Sequence, residues 1–417
     1  MKTDKTNKIK ILLLVSGSIA AVRIPLLITQ LIRENYEVKC VLTKNAERLI
    51  QPLSISILCR NNCFLDEDQW QKSQTNPLHI NLCNWADIII MAPLTATTLS
   101  KWVSGNAEGL VPSILIANTK PVIVAPAMNT NMWRNKFVEM NYKKLKTLSN
   151  VLSIHPSEGI LACDQFGIGK LPSNDLLLLA LKFVLQENGT HNLNDLQDKK
   201  FLITGGATIE EIDPARRITN KSSGMMSLLL AQVAQFRGAK VKYIHGNLEL
   251  NDNLIEGLDT EKISTGRELL EAIKKEISKY DYFLMNAAVT DIRATEIITS
   301  KLPKKNLRNY FLNHMELVPD ILGEINKLKK NNQVFVGFCA YTGDYTNLKL
   351  IVKDKLNTKG CDFIFANPID LKGQGFGVHA ENEGWLFSRS GKEKYIEKTS
   401  KIYLAHQLIN KIISVNK

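Results

Sequence analysis

Short apolar runs alternate with longer amphipathic segments along the first half of the chain. The runs are rich in aliphatic residues and read KIKILLLV, YEVKCVLT, ADIIIMAP and KPVIVAPA, and the segments between them have helical spacing. Strands that alternate with helices predict a parallel sheet covered on both faces, with ligands beyond the carboxyl ends of the strands.

The same alternation starts afresh after a polar, turn-rich segment. Its apolar runs are KKFLIT, KVKYIHG, DYFLMNAAV, QVFVGFCA and CDFIFANP, followed by a hairpin with Ser390 and Gly391 at its turn and a last amphipathic helix. We therefore predict two doubly wound (Rossmann/flavodoxin-like) three-layer α/β domains in tandem. They occupy residues 1–188 and 199–417, with a linker at 189–198.

Composition narrows the class of protein. The chain has 417 residues, 44% of them hydrophobic and 23% charged, which is typical of globular domains. No apolar run is long enough for a membrane helix, and no signal peptide is evident, so a soluble cytoplasmic protein is expected. Seven scattered cysteines without a CxxC pair favour neither a disulfide framework nor a zinc site. A net charge of +12 without any nucleic-acid motif favours small phosphorylated substrates over nucleic acid.

Glycine and hydroxyl residues follow the first-half strands. Gly17 permits a tight turn, and Ser18 can bond a phosphate oxygen or cap the next helix. Thr43, Thr95 and Thr97 come after two further strands. The pattern is not GxGxxG, so it indicates a mononucleotide phosphate and its sugar chain more than a dinucleotide, although a plain strand-to-helix turn stays possible.

Three further residues are candidates for catalysis, but none of them indicates a reaction without its neighbours. His79 precedes a buried strand, Asn129 lies in the strand-end segment PAMNTNMW, and Cys163 lies in a glycine-containing loop suited to a mobile flap. Taken singly, a histidine is usually structural, an asparagine at a strand end is a cap, and a cysteine is a small core residue.

Together, GSIAA, HINLCNWAD, PAMNTNMW and ACDQFGIGK resemble the flavin-containing cysteine decarboxylases. The resemblance implies His79 and Asn129 as catalytic residues, Asn129 also at the substrate carboxylate, and Cys163 as proton donor. It implies FMN as cofactor, bound by Gly17, Ser18, Ile19, Thr43, Thr95 and Thr97. The chain departs from that family at Asp164, Gln165 and Lys170, where Gly, Asp and Arg are usual, which puts the flap geometry in question.

In the second half, a long excursion separates Gly205 and Gly206 from Ser222, Ser223 and Gly224, which open a helix. A helix start with two serines is an anion cradle. A lysine-rich loop then follows the strand DYFLM, and such lysines are either solvated or able to close on a triphosphate.

This half resembles the phosphopantothenate–cysteine ligases through TGGATIEEIDPARRITNKSSG, AAVTD, VPDIL, VGFCAYT and DKLNTKGCDFIFAN. The resemblance implies CTP as co-substrate, with Mg²⁺, and an acyl-cytidylate intermediate. Asn220 and Lys301 would be catalytic, and Arg216 and Asn220 would meet the substrate. The implied CTP contacts are Ser222, Ser223, Gly224, Asp291, Lys301, Pro319, Asp320, Ile321, Leu322, Phe338, Lys355 and Lys359.

This match is also imperfect. The lysine loop reads KLPKK, one residue longer than usual, so the functional lysine is Lys301 or Lys304. Tyr341 stands where Glu is usual, and GVHAEN replaces the usual GSDEN. The residues that would bind the expected Mg²⁺ are not identified by the sequence.

Both resemblances together imply a fused enzyme of coenzyme A biosynthesis that ligates and then decarboxylates. Its substrates would be 4′-phosphopantothenate, L-cysteine and CTP. The families further imply a homo-oligomer: trimeric flavin domains, with FMN between subunits, and dimeric ligase domains would build a dodecamer. Two alternatives stay open: a decarboxylase of peptide C-terminal cysteines, and an inactive nucleotide-binding protein.

Overall fold

A computed structural model describes residues 8–72, 75–186, 192–370, 375 and 381–414. The chain divides into two compact units, Met1–Asp195 and Leu196–Lys417. In the described part of the chain, no helix is long and apolar enough to cross a membrane.

The first unit contains eight strands and nine α-helices among its described residues. The strands are β1 (Lys10–Val15), β2 (Glu37–Leu42), β3 (Cys63–Phe64), β4 (Ile88–Leu94), β5 (Val122–Pro126), β6 (Val151–Ser153), β7 (Ser157–Ile160) and β8 (Phe166–Lys170). The helices are α1 (Ile24–Arg33), α2 (Lys44–Glu47), α3 (Pro52–Cys59), α4 (Leu78–Trp85), α5 (Ala96–Val103), α6 (Leu110–Ala117), α7 (Thr130–Trp133), α8 (Lys136–Leu145) and α9 (Asn174–Gln186). Short 3-10 helices span Ile19–Arg23 and Asp66–Trp70.

Six of these strands form one parallel sheet in the order β3-β2-β1-β4-β5-β6. Residues Ile11–Val15 of β1 are fully buried, as expected for a central parallel strand covered on both faces. The order reverses between β1 and β4, and in such sheets ligands bind at this point beyond the strand ends. Strands β7 and β8 form a separate antiparallel hairpin.

The second unit begins a new set of elements. Its strands are β9 (Lys200–Gly205), β10 (Ile209–Asp213), β11 (Arg216–Thr219), β12 (Lys240–His245), β13 (Asp259–Lys262), β14 (Tyr282–Met285), β15 (Ile292–Ala294), β16 (Met315–Leu317), β17 (Val334–Tyr341), β18 (Phe363–Pro368), β19 (Glu381–Ser388) and β20 (Glu393–Ser400). The helices are α10 (Met225–Phe236), α11 (Gly266–Glu276), α12 (Leu307–Asn313), α13 (Ile321–Asn326), α14 (Tyr345–Thr358) and α15 (Lys401–Ile413). Short 3-10 helices span Asp252–Ile255, Ile277–Lys279 and Lys304–Asn306.

The main sheet of this unit has the order β13-β12-β9-β14-β17-β18-β19-β20. It is parallel up to β18, and the last two strands form the predicted antiparallel hairpin, with Gly391 at φ 84° in its turn. Both units thus confirm the predicted doubly wound α/β class. The excursion after β9 is itself a small antiparallel arm of β10 and β11.

The segment predicted as a linker is partly packed. Residues 189–191 lie outside the described residues, but Leu193 and Leu196 are buried. The side-chain amide of Asn194 donates to the carbonyls of Leu148 and Val151 at 3.1 and 2.9 Å. The polar composition of this segment therefore does not show that the stretch around Asn194 is fixed to the first unit by hydrogen bonds.

Candidate active sites

A cavity of about 500 Å³ opens at the strand ends of the first unit. Ser18 and Ile19, which follow β1, form one side of it. Met128 and Asn129, which follow β5, line it as well, and Cys163 lines it from the hairpin of β7 and β8. Three segments far apart in sequence thus meet in one mainly apolar cavity.

Asn129 uses the two ends of its amide group differently. Its Oδ1 accepts the backbone N–H of Asn131 at 2.8 Å and so caps the short helix α7. Its Nδ2 lies 3.5 Å from the Sγ of Cys163. The cap fixes the orientation of the amide, and the donor end remains directed at the thiol.

Cys163 lies at the tip of the hairpin, in a tight turn. The backbone N–H of Leu161 donates to the carbonyl of Gln165 at 2.9 Å, and Asp164 adopts the left-handed conformation at φ 57°. Cys163 itself is exposed. The turn therefore presents a thiol that is open to solvent on one side and faces Asn129 on the other.

The base of the hairpin is fastened to the loop that carries Asn129. The backbone N–H of Met128 donates to the carbonyl of Gly169 at 2.9 Å. A Cβ at position 169 would lie 2.0 Å from the carbonyl oxygen of Met128, so only glycine permits this approach. Arg23 adds a hydrogen bond of 2.7 Å to the carbonyl of Leu171 just beyond β8.

The predicted cofactor residues lie at the ends of adjacent strands. Ser18 caps the 3-10 helix after β1, Thr43 caps α2 after β2, and Thr95 caps α5 after β4. Thr97 is exposed in the first turn of α5. At position 17 a Cβ would lie 2.3 Å from the Cβ of Asn45, so the turn admits no side chain.

Ser16, which the sequence did not single out, connects the strand ends that carry the predicted cofactor residues. Ser16 is buried, and its hydroxyl donates to the carbonyl of Pro93 at 2.7 Å and accepts the backbone N–H of Thr95 at 3.0 Å. It thereby links the ends of β1 and β4 at the point where the strand order reverses. The neighbouring Gly17 and Ser18 are the signal that pointed to this turn.

His79 lies apart from these residues in the isolated chain. It is the second residue of α4, is half-buried, and does not line the cavity that holds Cys163 and Asn129. One copy of the chain therefore does not bring together all three residues predicted for decarboxylation.

A second cavity, of about 380 Å³, opens at the strand ends of the second unit. It is more polar than the first and brings together residues from the arm, from α10, from the loop after β14 and from α14. The predicted residues that line it are Asn220, Ser222, Ser223, Gly224, Asp291, Phe338 and Lys355.

The predicted anion cradle is built on a helix start. Gly224 caps α10 at φ 77°, a left-handed conformation that favours glycine, and a Cβ there would also displace the side chain of Leu248. The hydroxyls of Ser222 and Ser223 accept the backbone N–H groups of Gly224 and Met225, each at 3.4 Å. Asn220 is fixed by a hydrogen bond of 2.9 Å to the carbonyl of Val289.

Arg216 and the lysine loop lie outside this cavity and are joined to each other. The guanidinium of Arg216 contacts the buried Asp213 carboxylate at 2.5 Å and the carbonyl of Leu302 at 3.1 Å, and Asp213 also accepts the backbone N–H of Leu302 at 3.1 Å. Burial alone would raise the pKa of Asp213, but the N–H groups of Ala215 and Leu302, with Arg216, lower it. Lys301 is exposed next to this anchor.

The remaining predicted nucleotide contacts also lie outside the cavity in this conformation. Asp320 caps α13 and forms an ion pair with Lys359. Ile321 is buried and Leu322 packs against the core. Pro319, which precedes this cap, is exposed.

Comparisons with known proteins agree with this division into two sites. Residues 1–184 match the family described as Flavoprotein, and residues 196–415 match the family described as DNA/pantothenate metabolism flavoprotein C-terminal domain. The coenzyme A biosynthesis bifunctional protein CoaBC of Borreliella burgdorferi is 35% identical over 364 residues, which are 87% of this chain and 90% of that protein. CoaBC of Bacillus subtilis is 32% identical over 415 residues, or 99% and 98% of the two chains.

The chain belongs to the CoaBC family. Among solved structures, a crystal structure of the C-terminal domain of the coenzyme A biosynthesis bifunctional protein CoaBC is 29% identical. It covers 52% of this chain and 96% of that chain, with a TM-score of 0.43.

Two departures from the usual CoaBC motifs now have a structural account. Asp164 stands where glycine is usual and takes up the left-handed conformation that glycine favours, which aspartate tolerates better than most residues. Tyr341 is half-buried against the cluster that contains Cys339 and Leu348 and does not line the ligase cavity. The altered segment GVHAEN falls largely outside the described residues.

Several CoaBC residues in the second cavity were not found by sequence reasoning. They are polar or charged and come from strand ends and helix starts: Asn286, Asn367, Asn382 and Lys401. Asn367 lies in the pair AN and Lys401 in the pair SK, and both pairs are too short to be recognised as motifs. Only the fold brings their strand ends and helix starts to one edge of the sheet.

Proposed function

We propose that the second unit joins cysteine to 4′-phosphopantothenate and that the first unit decarboxylates the product to 4′-phosphopantetheine. The chain is a bifunctional enzyme of coenzyme A biosynthesis, with phosphopantothenate–cysteine ligase and phosphopantothenoylcysteine decarboxylase activities. The observation that carries this conclusion is the tandem match of both families along nearly the whole chain. We assign the decarboxylase domain to residues 1–188, the linker to 189–198 and the ligase domain to 199–417.

For decarboxylation we assign the carboxylate-binding role to Asn129 and the proton-donating role to Cys163. The Nδ2 group directed at the thiol can donate to the substrate carboxylate beside it. Apolar groups of Ile19, Met128 and Leu161 line the same cavity and disfavour a solvated carboxylate, which promotes loss of CO₂. The Cys163 thiol then supplies the proton that the product carbon needs.

The first unit fits FMN as its flavin. Hydroxyls at the ends of β1, β2 and β4, a turn at Gly17 too tight for a side chain, and helix starts at the same edge suit a phosphate and ribityl chain. We assign this binding to Gly17, Ser18, Ile19, Thr43, Thr95 and Thr97. Bound FMN would supply a reversible two-electron oxidation of the substrate thiol, which places a thiocarbonyl beside the bond that breaks.

We propose that His79 acts across a subunit boundary. The trimeric packing implied by the family would bring His79 of one subunit to the cavity of the next. A suitable apolar surface exists: Ile19, Val22 and Leu26 are 56%, 52% and 66% exposed, and Leu53 on the adjacent helix α3 is 72% exposed. Exposed apolar side chains on neighbouring helices can be covered at a subunit interface.

For ligation we propose that CTP activates the 4′-phosphopantothenate carboxylate as an acyl-cytidylate, which the cysteine amine then attacks. Ser222, Ser223 and Gly224 at the start of α10 would hold phosphate, and Asn220 would contact the intermediate. Phe338, Lys355 and Asp291 line the same cavity. Arg216 and Lys301 would approach when the lysine loop closes on the triphosphate. The segment from Pro319 to Leu322, with Lys359, would contact the nucleotide from the start of α13 and the end of α14.

Mg²⁺ fits this site as a companion of the triphosphate. In the described residues no group of three His, Cys, Asp or Glu side chains is arranged to hold a metal ion. Magnesium ordinarily binds through one or two carboxylates together with substrate phosphates, and Asp291 is a carboxylate that lines the cavity. We therefore propose that the ion arrives with CTP.

We further propose a cytoplasmic homo-oligomer in which trimeric flavin domains and dimeric ligase domains build a dodecamer. Small-molecule substrates require no membrane or nucleic-acid partner. Mass measurement of the intact assembly under native conditions tests this arrangement, because a dodecamer contains twelve chains and separate trimers or dimers do not.

One experiment tests both activities. The purified protein, supplied with FMN, is incubated with 4′-phosphopantothenate, CTP, Mg²⁺ and cysteine, and the products are identified by mass. We expect 4′-phosphopantetheine, with 4′-phosphopantothenoylcysteine as its precursor. Absence of the cysteine adduct would refute the ligase assignment, and accumulation of the adduct without CO₂ loss would refute the decarboxylase assignment.

A further inference from the structure

Lys401 is a buried cation in the ligase cavity that the proposed function does not use. It is the first residue of α15, is only 2% exposed, and lines the same cavity as Ser222 and Ser223. Its Nζ donates to the carbonyl of Gly375 at 3.2 Å. Lysine is seldom buried to this extent without an electrostatic reason.

Burial lowers the pKa of Lys401 to about 8. The value remains above neutral pH, so most of the side chain is still protonated under ordinary conditions. A cation is therefore held at the wall of a cavity that also carries a phosphate cradle.

Two helix starts add positive potential at the same place. Met225 and Met226 begin α10, Lys401 begins α15, and all three residues line the cavity. The two helices pack against each other. The N-terminal end of each helix carries a partial positive charge, which raises the cost of burying an ammonium group there.

The negative groups on the cavity wall are few. Among its described lining residues, Asp291 is the one carboxylate, whereas Lys355 is a second lysine. Lys355 directs its Nζ to the Sγ of Cys339 at 3.4 Å. The described wall of the cavity thus has more positive than negative charge, which favours an anionic ligand.

We propose that Lys401 binds a phosphate group of a ligase substrate and is a further substrate-binding residue of the ligation step. The inference rests on the proposed ligase function. Two substrates carry phosphate: the triphosphate of CTP and the 4′-phosphate of phosphopantothenate. Both offer the same anionic oxygens to an ammonium group, and steady-state kinetics separates them.

The test compares Lys401→Met with Lys411→Met, which removes an exposed lysine from the last turn of the same helix. Pyrophosphate release is measured with CTP varied at saturating 4′-phosphopantothenate, and then with the roles exchanged. Loss of a charge-assisted hydrogen bond should raise the KM for the substrate whose phosphate Lys401 binds by about ten- to a hundredfold. The other KM should stay near that of Lys411→Met, and Lys401→Arg should recover part of the loss.

A rise in the KM for CTP alone assigns the triphosphate, and a rise for 4′-phosphopantothenate alone assigns the 4′-phosphate. Both KM values unchanged, or a fall in kcat alone, would overturn the inference. Lys401→Gln serves as a second neutral variant if Lys401→Met does not fold. If both neutral variants stay unfolded even with saturating CTP, Lys401 is structural and the inference fails. A wild-type protein without CTP-dependent pyrophosphate release would refute the ligase function itself, which is a different result.

Discussion

The Nδ2 of Asn129 lies 3.5 Å from the Sγ of Cys163, while the Oδ1 of the same amide accepts the backbone N–H of Asn131. A single side chain therefore caps a helix and presents a donor to the thiol of the hairpin. Capping and ligand binding are compatible here because an amide has a distinct acceptor and a distinct donor end.

Asn129→Asp separates these two roles. A carboxylate can still accept the N–H of Asn131, so the loop and the flavin site should survive. It has no donor for the substrate carboxylate and repels it, so the rate of CO₂ release should fall by about a hundredfold or more. Flavin content is read from the absorption spectrum. Asn131→Asp is the control, because the helix start uses its backbone N–H. An Asn129→Asp enzyme with full activity would return Asn129 to a purely structural role.

The conformation of Asp164 leads to a prediction for the hairpin turn. Its φ of 57° strains a β-branched side chain, so Asp164→Val should disfavour the turn by roughly 1–2 kcal/mol and misplace the adjacent Cys163 thiol. Decarboxylation should slow by about five- to thirtyfold, with flavin binding unchanged. Asp164→Gly should keep full activity. Gln165→Val is the control, since that residue is exposed without a left-handed φ. Equal rates for the Asp164→Val enzyme and the wild type would show that the turn conformation does not control the thiol.

The sequence predicts features that depend on neighbouring residues better than features that depend on contacts between residues far apart in the chain. Strands and helices were found because their apolar periodicity is local, and Gly224 was found because a cradle has a local motif. Lys401 and Ser16 were missed because each acts through residues far along the chain, Gly375 and Pro93. The arm of β10 and β11 was anticipated only as an excursion, since antiparallel pairing of two short strands leaves little pattern.

The position of His79 outside the Cys163 cavity predicts complementation between subunits. His79→Asn and Cys163→Ser should each be inactive in decarboxylation. When the two variants are co-expressed in equal amounts and purified as mixed oligomers, roughly a quarter of the sites should contain an intact histidine and an intact cysteine. Activity should recover in that proportion. The control is a mixture of the two variants purified separately, in which subunits do not exchange and activity should not recover. No recovery in verified mixed oligomers would mean that His79 does not act across a boundary.

The ligase loop offers two lysines, and matched variants distinguish them. Lys301 is exposed beside the anchored Leu302, whereas Lys304 begins the 3-10 helix Lys304–Asn306. We expect Lys301→Gln to reduce CTP-dependent pyrophosphate release by about a hundredfold or more, because it removes a cation that neutralises transition-state charge. Lys304→Gln should have little effect and is the control. The reverse result would move the assignment to Lys304. Flavin binding and decarboxylation of supplied 4′-phosphopantothenoylcysteine should be unaffected in both variants.

Asp213 fastens the lysine loop to the arm, since its carboxylate accepts the N–H of Leu302 and contacts Arg216. Asp213→Asn weakens both contacts, so hydrogen exchange in residues 301–305 should rise and the KM for CTP should increase by about tenfold.

The pKa of Asp213 is lowered in the folded protein, so its contribution to stability is present above the unfolded value of about 3.9 and is lost as pH falls through the lowered pKa. Protection of the wild-type loop, taken relative to the intrinsic exchange rate at the same pH, should therefore change little on acidification to pH about 4. Glu211→Gln, an exposed neighbour on β10, is the control. If Asp213→Asn leaves both the loop exchange and the KM at wild-type values, the loop is held by other contacts.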